Sequence, residues 1–106
     1  MGNLYEDALP PATGERFDTL LSYQGLVIER IVSTSKIESR EYVQDQDEWV
    51  VLLTGEALLE VAGRQVPLRA GDHLFLPSRT PHTVLKVSDG AMWLAVHLHG
   101  AAGKRS

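Results

Sequence analysis

Turn-forming residues break this chain into short apolar runs about every ten residues, a rhythm that argues for a closed or sandwiched antiparallel β-domain. The densest case is Gly71 to Val84, GDHLFLPSRTPHTV. Gly71-Asp72 makes a tight turn, His73 to Leu76 reads as a short apolar strand, and Pro77 to Pro81 forces the backbone round before a second strand starts at His82. In that second strand His82, Val84 and Lys86 share one face while Thr83, Leu85 and Val87 share the other. The stretch alone does not decide which face is interior.

The 106 residues make one domain, long enough to bury roughly two-thirds of the unfolded surface and to fold without staples. There are no cysteines, which excludes thiolate metal sites and cysteine nucleophiles and fits a reducing compartment. The first residues are acidic where a secretory leader would be basic and then apolar, and no apolar run approaches the ~20 residues of a membrane span. A cytoplasmic protein with no membrane partner is the expectation. The net charge of -4 comes from interspersed signs and offers no basic stripe to follow phosphates, which argues against a nucleic-acid partner.

Residues 1–24 read as an extended arm, marked by Pro10-Pro11 and Gly14, followed by a short helix over Glu15–Leu21 in which Phe17, Leu20 and Leu21 fall three and four apart. The barrel itself is expected over 25–99, with a disordered tail at 100–106. Leu26 to Val32 is a strand apolar on both faces. Lys36 to Asp47 is polar and acid-rich, a solvated strand or loop. Trp49 to Leu53 and Ala57 to Val61 form a hairpin about Thr54-Gly55, and Ala62 to Gln65 supplies a second turn. Val66-Pro67-Leu68 follows as a short strand whose proline demands an edge or irregular position. The last strand runs from Met92 to His99.

Glu48 to Gly55, then Gly71, Pro77 and His82, resemble the two signature motifs of the cupin superfamily over most of residues 25 to 99. The first motif carries a His-x-His pair, a Glu and a later Gly; Glu48 and Gly55 match its end, while Tyr42 and Gln44 stand at the histidine positions. The second motif matches at Gly71, Pro77 and His82 and has Arg79 in place of its inner Gly. The resemblance implies an all-β antiparallel jelly-roll barrel, with Glu48, His82 and positions 42 and 44 converging inside.

If Glu48 points inward, so do Val50 and Leu52, which sets a carboxylate at the mouth of an apolar interior. That is costly without a cation, an imidazolium or hydrogen-bond donors. One answer is a divalent metal (Zn, Fe, Mn or Ni) held by Glu48, His82 and Gln44, in a pocket walled by Tyr42, Val50, Leu52, Val84 and His97. His97 joins if its strand turns Trp93, Ala95 and His97 inward; the opposite face, with Met92, Leu94, Val96 and Leu98, makes an equally good core. Two classes of function fit these residues. One is a small metal-dependent enzyme acting on an oxygen-bearing substrate, as a cupin dioxygenase, isomerase or decyclase does. The other is a non-catalytic ligand-binding or sensor module. No catalytic residue is singled out. The excess of apolar strand surface, and the habit of small cupins, lead us to expect a homodimer.

Overall fold

Two tight hairpins set the frame. Tyr23 pairs with Leu26 and Val61 with Arg64, so their loops are the dipeptides Gln24-Gly25 and Ala62-Gly63. All four loop residues have positive φ, at 48° and 83° in the first and 49° and 82° in the second. That is the turn whose twist matches the strands it joins, and Gly at the second position makes it cheap.

The computed structural model describes residues 1–100 and contains eight strands. They are β1 (Glu15–Tyr23), β2 (Leu26–Ser33), β3 (Asp47–Thr54), β4 (Glu56–Val61), β5 (Arg64–Arg69), β6 (His73–Leu76), β7 (His82–Val87) and β8 (Met92–Leu98). All pairings are antiparallel, in one sheet of order β1-β2-β8-β3-β6 and another of order β5-β4-β7. The two sheets face each other as a jelly roll, and Val50, Leu52, Leu59, Leu68, Leu76, Val87, Trp93 and Ala95 fill the space between them. Pro67 sits on β5, an edge strand of the smaller sheet, as a residue without an N–H must.

The helix expected over Glu15–Leu21 is instead β1. The register slips between Thr19 and Leu21, so Leu20 is an extra residue in a bulge. That bulge is what mimics helical spacing. Two turns of isolated helix are marginal, whereas the Gln24-Gly25 turn folds the segment back onto β2, where its backbone groups find partners. The larger sheet therefore takes in residues that the sequence had set apart with the arm. The arm itself packs against the outer face of this sheet at Arg30, whose guanidinium donates to the carbonyls of Leu4 and Glu6 (both 2.7 Å) and Asp7 (3.2 Å). The acid-rich run 36–47 contributes only its last residue to a strand and otherwise touches the barrel ladder through one bridge, Tyr42 to His82. The tail expected at 100–106 lies, apart from Gly100, outside the described residues. No helix among the described residues is long and apolar enough to cross a membrane.

Gly55, the last residue of the first motif, has φ +90°, and a Cβ there would lie 2.6 Å from the Ser88 hydroxyl and 2.8 Å from the Ala91 methyl. Only a glycine lets the β3–β4 turn close against the turn before β8.

Candidate functional site

On β3 the alternation puts Glu48, Val50 and Leu52 on the inner face, all three buried, and leaves Trp49 outside. Glu48 pairs across the ladder with Leu76 of β6 and with His97 of β8. Residues directly opposite share a face, so β8 turns Trp93, Ala95 and His97 inward, which resolves the choice its sequence left open. β7 reaches the same space from the other sheet. A register shift opposite Leu58 and Leu59 leaves Leu85 as an extra residue, so that His82 and Val84 face the cavity while Val87 still enters the core.

These side chains line a cavity of about 130 Å³ that opens to solvent. Tyr42, Gln44, Glu48, Val50, His82, Val84 and His97 all line it, together with Trp93 and with further residues that the sequence did not assign to the site, among them Glu15, Phe17 and Glu29. Leu52 does not. It lies two residues further along β3, wholly buried in the core, and belongs to the packing beneath the cavity rather than to its wall.

The polar groups hold one another. The Gln44 amide donates to Glu48 Oε1 at 2.7 Å. His97 Nε2 donates to Glu29 Oε1 at 3.0 Å, and its Nδ1 accepts from the Gln46 amide at 3.2 Å. Because a carboxylate can only accept, this pattern places the His97 proton on Nε2. His82 Nδ1 donates to the Thr80 carbonyl at 3.1 Å, and its ring stacks on Tyr42 with centroids 5.9 Å apart. Deeper in, the Trp93 indole donates to Ser33 Oγ, which donates to Glu15 Oε2. No fully buried side-chain nitrogen or oxygen lacks a partner among the described residues.

Glu29 was the residue most open to discovery from sequence. It is the one acid within the apolar run LVIERIV, and a carboxylate on an inward face needs a donor such as His97. What hid it was the strand's apparent burial on both faces, which gave no clue to orientation.

The expected metal set does meet in one place, since Glu48, His82 and Gln44 line the same cavity. Their donor atoms do not form a cation cage, however. Gln44 turns its N–H₂ toward Glu48 and both His97 ring nitrogens are engaged, which leaves His82 Nε2 and Glu48 Oε2 as the free nitrogen and carboxylate ligands, and no group of three or more His, Asp or Glu side chains among the described residues is arranged to hold an ion. The residues as they stand do not fit a resident metal.

A family model described as the cupin domain matches residues 32–97, well over half of the chain. This chain is a cupin. Among solved structures, a provisionally named mannose-6-phosphate isomerase from Ralstonia eutropha JMP134 is 35% identical, with 93% of this chain and 97% of that one covered and a TM-score of 0.82. A Thermus thermophilus protein (18% identity, 93% and 96% covered, TM-score 0.81) and an RmlC-like cupin from Shewanella frigidimarina (19% identity, 86% and 81% covered, TM-score 0.75) share the fold. No curated protein matches the chain in sequence.

Proposed function

We propose that this cupin is a small-molecule-binding protein whose ligand sits in the cavity between Tyr42 and His82 on one wall and Glu29, Glu48 and His97 on the other. The observation that carries this reading is the combination of an apolar-walled cavity with a few convergent polar groups, the usual make-up of a ligand site. Its size limits the ligand. A cavity near 130 Å³ is close to one of ~150 Å³ that encloses a benzene-sized molecule, so only a small compound, or the end of a larger one, is enclosed. No Lys or Arg among the described residues lines the cavity to receive the phosphate of the sugar phosphate in the Ralstonia relative's name.

Binding is tested by NMR with a set of small polar compounds. Saturable shifts of the Trp93 indole N–H and the Val50 and Val84 methyls, with the Trp49 indole unmoved, are expected. Shifts confined to the outer face around Trp49 would overturn the reading.

The second reading is a metal-dependent enzyme, with a divalent Zn, Fe, Mn or Ni ion at Glu48, His82 and Gln44. It is favoured by their shared cavity and by membership of a family in which metal sites are common. Against it stands the internal pairing of the same donors. Metal analysis of tag-free protein separates the two: one equivalent of metal, lost in His82→Ala, would replace the binding reading with the metal one. We also propose that the protein is a homodimer that works in the cytoplasm, the first on the exposed apolar face of the larger sheet around Trp49 and Phe75 and the second on the absence of cysteines.

A further inference from the structure

Resting on the binding reading above, we infer that the cavity takes a small organic cation, and specifically a primary ammonium group on a short apolar body. Three carboxylates, from Glu15, Glu29 and Glu48, line the cavity, and no Lys or Arg among the described residues does. Glu48 is the informative one. Its side chain is 9% exposed, and with Oε1 taken by Gln44 its Oε2 has no hydrogen-bond partner among the described residues, the nearest cation-capable atom being His97 Nε2 at 3.9 Å. The described residues hold no fully buried side-chain oxygen without a partner, so Glu48 Oε2 opens on the cavity, where an entering donor or positive charge can pair with it.

The other free atoms point to the same chemistry. Glu29 uses Oε1 for His97, which leaves Oε2 open. His82 gives its Nδ1 proton to the Thr80 carbonyl, so its Nε2 is an acceptor with no partner among the described residues. The free acceptors come from both sheets and outnumber the free donors, which among the described lining residues are the Tyr42 hydroxyl and one Gln44 N–H. A primary ammonium carries three donors and no acceptor, the complement of that arrangement. Phe17 and the stacked Tyr42–His82 pair add ring faces that attract a cation, while Val50 and Val84 receive an alkyl chain. An anion is repelled by the three carboxylates, and an alcohol fills only part of the acceptor set.

The test titrates n-butylammonium, 1-butanol and butyrate, three probes of similar shape and different charge, into protein freed of metal by chelator and followed at the Trp93 indole N–H. Expected is saturable binding of n-butylammonium at least ten-fold tighter than 1-butanol, no shift with butyrate, and loss of that preference by ten-fold or more in Glu48→Gln. If Glu48→Gln unfolds, Glu29→Gln takes its place with the same expectation. Equal or tighter binding of 1-butanol or butyrate would overturn the cation inference while leaving the cavity as the ligand site. So would binding of the ammonium only after a divalent metal is added back. No shift with any of the three would also overturn it, and the wider compound set then decides the binding reading separately.

Discussion

Arg79 stands where the second motif has a glycine, and its backbone still has a glycine's conformation, with φ +66°. The left-handed region costs a residue with a Cβ about 1–2 kcal/mol. The position is held because the Arg79 N–H donates to the Gln44 carbonyl at 2.7 Å, which anchors the loop whose amide positions Glu48. The guanidinium pairs with Asp45 at 2.9 Å, but both side chains are largely exposed and such a pair adds little. Arg79→Gly removes the strain and gives back some chain entropy, about 0.5–1 kcal/mol. The variant is therefore expected to gain about 0.5–1 kcal/mol, read as a rise in Tm of roughly 2–6 °C for a domain of this size. A fall in Tm would mean that the exposed ion pair, and not the backbone bond, fixes the loop.

At the scale of elements, β1 is attached to the rest of the sheet by more than its ladder. Asp18 on β1 accepts from Arg30 on β2 at 2.7 and 3.1 Å and from Arg16 at 3.2 Å, and Arg30 in turn gathers the carbonyls of the arm. The hydrogen bond from Arg30, reinforced by Arg16 against the opposing effect of burial, holds the Asp18 carboxyl below its usual range. Such a group binds its proton more readily in the unfolded chain. Its contribution is complete above an ordinary carboxyl pKa of about 4 and is lost as pH falls through the lower folded value. Urea denaturation at pH 7 should show Asp18→Asn less stable by about 1–3 kcal/mol, the usual cost of a hydrogen bond between charged groups. Lowering the pH from 5 to 3 should then narrow the gap between the two proteins. An unchanged gap would show that the arm and β1 are held without this carboxylate.

For the molecule as a whole, the unbalanced sheets matter most. Five strands oppose three, and the outer face of the larger sheet carries a cross-strand row of Leu21, Ile28, Val96, Trp49 and Phe75 with no charge among them. Leu21, Trp49 and Phe75 are exposed at 44%, 37% and 56%, and Tyr23 and Leu98 extend the apolar area at one edge. Contiguous apolar surface of this kind marks an interaction face. With a second copy of the chain as its occupant, two such faces meet about a two-fold axis. Sedimentation at micromolar concentration is expected to give a dimer for the wild type and a monomer for Trp49→Lys, the variant keeping its fold because Trp49 points away from the core. A monomeric wild type would leave this face to a different partner.

The sequence by itself determined the strand rhythm, the position of the turns and that Glu48, Val50 and Leu52 share one face, because each rests on local rules: positive φ at glycine, a missing N–H at proline, and alternation of faces with period two. It also determined that Glu48 and His82, 34 residues apart, share a cavity, although only through the likeness of two motifs to a known family. Tertiary structure alone decided the rest. A one-residue bulge turned an apparent helix into β1, another at Leu85 set which side chains of β7 look inward, and pairing with β3 chose the inner face of β8. It likewise brought Glu29 to His97 across 68 residues and so gave protein donors to the carboxylates for which the sequence suggested a metal. Registers and long-range pairings of this kind depend on which strand lies alongside, and no window of the chain contains its own neighbour.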